Sequence, residues 1–76
     1  MVKFIGNWMF ASHLWKDATP SPIAINIRNI SHIDEQEDYE LGAHVIVVTQ
    51  ENNQIPIEGD TIEILAAFQK HLSTMY

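Results

Sequence analysis

Residues 43–75 read AHVIVVTQENNQIPIEGDTIEILAAFQKHLSTM, and within them the spacing of apolar side chains changes from that of a strand to that of a helix. The first eight are rich in β-branched residues, which suit a pleated and buried surface, so they predict a strand. The segment Glu51-Asn52-Asn53-Gln54 turns the chain into Ile55-Pro56-Ile57-Glu58. Proline has no amide to donate there, so that short piece is an edge strand or holds proline at a non-bonding position. Beyond Gly59 the rule changes. Asp60 with Glu63 three residues later has the form of a capping box, in which a side-chain oxygen accepts from an orphan amide of the first helical turn. At 100° per residue Ile64, Leu65, Phe68, Leu72 and Met75 share a stripe, and Glu63, Lys70 and Thr74 lie opposite. One stripe needs one sheet to lie on. Strands followed by a single C-terminal helix make the fold class α+β: a small antiparallel sheet of three to five strands with one helix packed on it.

Toward the N-terminus, Val2, Phe4, Trp8, Phe10 and Leu14 alternate along MVKFIGNWMFASHLWKD, which predicts one long bulged strand. Gly6-Asn7 offers the alternative of a two-residue type II′ hairpin turn. The stretch DATPSP reads as a loop, because Pro20 and Pro22 cannot donate to a ladder and bias their predecessors away from helix. In IAINIRNISHID, Ile23, Ile25 and Ile27 keep a strand period until Ile30 and Ile33 break it. A strand, a kink near Arg28-Asn29 and a second extended segment follow from that.

Ile25-Asn26, Ile30, Ile33-Asp34, then Ile46, Val48-Thr49, then Ile57-Glu58 leading into a short helix, with the opening Met1-Val2-Lys3-Phe4, form a pattern that resembles the small FlbD-type flagellar and swarming-motility proteins. From Ile30 to Leu72 the strand rhythm also resembles a LytTR-type DNA-binding domain. The resemblance covers about two thirds of the chain and rests on apolar strand residues. It implies a strand-rich unit with a trailing helix and a non-enzymatic, protein-contacting role, and it carries over no catalytic residue.

The 76 residues make one domain, 1–76, of the size that buries about 60% of the surface its unfolded chain exposes. A core so small is commonly supplemented by a disulfide, a metal or a partner subunit. The chain has no cysteine, which removes the first and the thiolate zinc sites. Its apolar runs fall far short of the roughly 20 residues that span a bilayer, so no membrane insertion and a cytoplasmic location are expected. Four bases against ten acids leave a net charge of −6. A strong DNA binder neutralises about six to ten phosphates, so nucleic acid is disfavoured as a partner.

Five of those acids, Asp34, Glu35, Glu37, Asp38 and Glu40, stand within seven positions and supply nearly all of the net charge. Calcium-loop spacing would require glycine at the sixth position and glutamate at the twelfth, where this run has Tyr39 and Val45. A solvated connection that blunts a strand edge is the expected structure, and an acidic surface docking on a basic partner is the functional reading. The histidines, His13, His32, His44 and His71, fall in four segments without ligand spacing, and Gly6, Gly42 and Gly59 are isolated, so neither metal, cofactor nor catalytic residues are assigned.

Trp8 and Phe10 share one face of an N-terminal strand, while Met9, Ala11 and Trp15 share the other. A single helix covers a single side. The expectation is therefore self-association, as a homodimer or higher homo-oligomer, through Trp8, Met9, Phe10 and Trp15. Function is accordingly read as a small regulatory or interaction protein of bacterial or phage type, without enzymatic activity. The alternatives are a small ligand sequestered between protomers by stacking on Trp8 or Trp15, and a LytTR-like nucleic-acid role.

Overall fold

A two-residue turn at Gly6-Asn7 divides the N-terminal segment into β1 (Lys3–Ile5) and β2 (Trp8–Trp15), with Ile5 directly opposite Trp8. Gly6 has φ +58°, a conformation that glycine adopts without the clash a Cβ would bring. The long uninterrupted strand is thus corrected to the hairpin alternative, and the consequence for side-chain direction is large. Phe4 now pairs with Met9 and Ile5 with Trp8, so Phe4 and Met9 face one way while Ile5, Trp8 and Phe10 face the other.

The computed structural model describes residues 2–15, 18–38 and 42–75, with Trp15, Ala18, Asp38 and Ala43 described through their backbone alone. Four further strands follow: β3 (Ala18–Asn26), β4 (Ile30–Asp38), β5 (Gly42–Thr49) and β6 (Gln54–Ile57), and helix α1 (Thr61–Met75) closes the chain. All pairings are antiparallel, in the order β1-β2-β6-β5-β4, with β3 on the other edge of β2. The architecture is α+β as expected, with six strands rather than three to five. The N-terminal hairpin accounts for the sixth strand, and a second segment is corrected without adding one. The N-terminal segment contributes two strands instead of one, and Thr19-Pro20-Ser21-Pro22 belongs to β3 rather than to a loop. β3 pairs only with β2 among the described residues, and an edge is where proline is tolerated.

A short 3-10 turn, Ile27–Asn29, joins β3 to β4 at the expected kink, with the Asn26 side chain accepting from the Arg28 amide. This junction is where the sheet coils back on itself. The Ile27 amide donates to Asn7 O (2.7 Å) in the β1–β2 turn, and the Gln50 amide at the far end of β5 donates to Asn29 O (2.8 Å). Strands distant in pairing order thereby enclose one core of Met9, Ala11, Ile25, Ile27, Val45, Val47, Ile57 and Ile64, with Phe4, Ile33, Phe68 and Leu72 packed around it. The β5–β6 turn holds Asn52 in the left-handed region (φ 66°), which asparagine enters more readily than other non-glycine residues.

Helix α1 starts as the sequence predicts: the Glu63 amide donates to Asp60 Oδ2 at 3.0 Å. Ile64 is buried, Phe68, Leu72 and Met75 are partly buried, and Glu63, Lys70 and Thr74 are exposed. Leu65, expected on the buried stripe, is 44% exposed, so the covered arc is narrower than the apolar one. The docking is specific in the first turn and at mid-helix. Thr61 Oγ1 donates to Glu35 Oε1 of β4 (2.7 Å), while the Phe68 ring meets Phe4 edge-on at 5.3 Å. Phe68→Ala removes that aromatic contact and part of the core, and is expected to cost about 3 kcal/mol, the low end for such truncations because Phe68 keeps some exposure. Against about 5 kcal/mol for so small a domain the loss is more than half, whereas exposed Lys70→Ala should stay within about 0.5 kcal/mol. Urea denaturation of both variants measures the contrast.

Candidate functional site

Two surfaces follow from this arrangement, one apolar and one acidic. The apolar surface is the outward face of β1, β2 and β3. The register sets Ile5 opposite Trp8 and Lys3 opposite Phe10. On the other side of β2, Phe10 lies opposite Ala24 and Ser12 opposite Pro22. Ile5, Trp8 and Phe10 are 62%, 46% and 42% exposed, and they are neighbours rather than scattered. Single exposed apolar side chains are ordinary; a contiguous group is what marks an interaction surface.

Of the residues assigned to self-association, Trp8 and Phe10 are on this face. Met9 points the opposite way and is fully buried in the core, and the Trp15 side chain lies outside the described residues. Ile5, which the sequence reading left out, takes the place assigned to Met9. Its signal was the Gly6-Asn7 turn: a hairpin there puts Ile5 beside Trp8, whereas a continuous strand puts it on the reverse face.

The acidic surface is a strand, not the loop expected. Asp34, Glu35 and Glu37 are exposed on β4, Asp38 is its last residue, and Glu40 lies outside the described residues. Pairing with β5 decides their faces. Asp34 is opposite Ile46 and Gln36 opposite His44 on one side of the sheet, while Glu35 is opposite Val45 and Glu37 opposite Ala43 on the side that α1 covers. Carboxylates have low strand propensity, but a partner as β-branched as β5 overrides it. The acids therefore line both faces of one strand instead of converging.

The histidines stay apart. His44 is buried and donates from Nδ1 to Gly42 O (2.9 Å), His32 is exposed beside Ser31 Oγ (3.3 Å), and His13 lies opposite Ile57. His71 donates from Nε2 to Gly6 O (2.7 Å) and stacks on Phe4 with ring centres 5.6 Å apart. Among the described residues no group of three or more His, Asp or Glu side chains gathers as a metal ligand set. A shallow cleft of about 310 Å³ lies between β1 and α1, lined by Val2, Phe4, Ala67, Lys70, His71 and Thr74. Val2 and Phe4 belong to the core-facing side of β1, so this cleft is not beside Trp8. No helix among the described residues is long and apolar enough to cross a membrane.

Comparison with protein-family models, with curated proteins and with solved structures gives no significant match.

Glu51 has a shifted carboxyl, held below the ordinary carboxylate range first by a backbone amide and then by the Asn29 and Thr49 side chains. The Asn29 contribution links the β5–β6 turn to the β3–β4 junction. A carboxyl depressed in the folded state contributes stability above its unfolded pKa of roughly 4.3, and that contribution is lost as pH falls through the folded value. The Glu51→Gln variant should therefore lose less stability than the parent between about pH 5 and pH 3, read from urea midpoints across that range. The acidic strand gives a second expectation. Replacing Glu35, Glu37 and Asp38 together by Ser should change stability by less than about 1 kcal/mol, since Glu35 and Glu37 are exposed and the Thr61–Glu35 bond lost with them lies at the surface. A millimolar magnesium or calcium titration should leave the melting temperature within about a degree; a rise of many degrees would reveal a cation site.

Proposed function

We propose that this chain is a non-enzymatic interaction protein that self-associates through the outward face of β1–β2–β3 and presents the acidic strand β4 to a basic partner protein. The observation that carries the first half is the alignment of Ile5, Trp8 and Phe10 on a face that α1 does not cover, since the helix packs on the side of Phe4 and Glu35. Aromatic residues are enriched at interface centres because they remove much apolar area from water at a small cost in side-chain entropy. Pairing one copy of this face with another about a two-fold axis brings Trp8 and Phe10 against their own kind, with Lys3 at the margin. The second half rests on charge. Asp34, Glu35 and Glu37 are exposed on one strand of a chain of net charge −6, a field that speeds encounter with a cationic surface and turns away polyanions. Docking without chemistry is also what the FlbD-type resemblance implies.

A closed dimer has a melting temperature that rises with protein concentration, because mass action favours the associated form. Sedimentation equilibrium at tens of micromolar should return twice the chain mass. Trp8→Glu should return one chain mass with the fold retained by circular dichroism, because Trp8 is outward and its loss leaves the core intact. Lys70→Glu on the exposed face of α1 should remain dimeric. A single-chain mass for the parent, with melting independent of concentration, would remove self-association from the account.

A further inference from the structure

The sheet has two long open edges, and they differ in kind. Among the described residues β3 pairs only with β2, and it carries exposed Pro20 and Pro22, which lack the amides an added strand would use. β4 pairs only with β5 among the described residues; it has no proline or lysine, and it exposes Ser31, His32, Asp34, Glu35, Gln36 and Glu37. Among the described residues, no backbone group between Ser31 and Glu37 bonds to the backbone of any element besides β5. The Glu35 amide donates instead to the carboxylate of Asp34 at 2.8 Å, the local substitute an edge amide takes when no strand lies beside it.

We infer that the free edge of β4 accepts an extended segment of a partner protein as an added antiparallel or parallel strand, and that this segment carries lysine or arginine at alternate positions. The edge supplies the main-chain hydrogen bonds, and an incoming carbonyl replaces the Asp34 carboxylate on the Glu35 amide. The acids choose the occupant. Glu35 and Glu37 lie on one face and Asp34 on the other, so cationic side chains on either face of the added strand meet a carboxylate, whereas a second β4 would set like charges side by side. The inference rests on the acidic-docking reading above and adds to it the backbone as the principal contact.

The test uses the intact protein and three octapeptides with blocked ends: alternating lysine and threonine, the same peptide N-methylated at every residue, and alternating glutamate and threonine. The lysine peptide should bind one per chain, slow amide exchange at alternate residues of 31–38, and bind at least about tenfold more weakly to the Asp34→Lys, Glu37→Lys double variant. N-methylation should weaken it at least about tenfold, since it removes main-chain donors and leaves the charge unchanged. Equal binding of the methylated peptide, with the charge dependence retained, would overturn strand addition while keeping acidic docking. Binding unaffected by the double variant, or equal binding of the glutamate peptide, would overturn both. Absence of binding, or concentration-dependent protection of 31–38 in the protein by itself, would also overturn the inference, the latter by identifying a second copy as the occupant.

Discussion

The Gly6-Asn7 turn is the constraint on which the other contacts converge. Its two carbonyls hold two distant parts of the chain: Asn7 O accepts from Ile27 at the β3–β4 junction, and Gly6 O accepts from His71 in the last turns of α1. Because a carbonyl only accepts, His71 Nε2 must carry its hydrogen, and stacking on Phe4 keeps the ring in the plane that bond requires. The same turn determines which side chains become core. With Ile5 opposite Trp8, Phe4 and Met9 are carried inward to Ile57 and Phe68, and the remaining large residues of the hairpin are carried outward. Both the stability of the domain and the composition of its outer face thus depend on a left-handed conformation at one glycine.

A single helix then sets the asymmetry of the molecule. α1 covers the side of the sheet that holds Phe4, Met9 and Val45, and Gly59 makes its close approach possible: a Cβ built there would lie 2.7 Å from Ile64 Cδ1. On the reverse side β5 still buries His44, Ile46 and Val48, flanked by His32, Asp34 and Gln36 of β4 and by Gln54 and Pro56 of β6. On the outward face of β1 and β2 the neighbours are Lys3, Ala24 and Asn26, and Ile5, Trp8 and Phe10 stay open. The apolar surface is therefore confined to one end of the sheet. Such confinement suits a closed assembly better than indefinite aggregation.

Local signals were legible in the sequence where they acted locally. The Asp60 cap, the stripe of Ile64, Phe68 and Leu72, the β-branched run of β5 and the kink before Ile30 all rest on neighbours within a few residues, and the structure contains each of them. The hairpin was harder because residues 2–15 are apolar at both parities, so alternation fits a straight strand and a reversed one equally well. Met9 was placed with the associating residues for the same reason. The β3 prolines and the β4 carboxylates read as loop in the sequence because their intrinsic preference is against strands. Pairing with β2 and β5, which no local window contains, reversed that preference.

The acidic run shows how the position of a charge changes its meaning. In a loop, five carboxylates would serve mainly solubility, each free to turn into water. Held on a strand, Asp34, Glu35 and Glu37 alternate between two faces at fixed spacing, and the backbone between them runs along an open edge. Such an edge is a hazard in any β protein, because it can template pairing with a copy of itself. Like charges at regular intervals suppress that self-pairing and leave the hydrogen-bonding groups in place. Proline on β3 deals with the hazard differently, by removing donors outright. Of the two devices only the charged one leaves the amides and carbonyls of its edge in place.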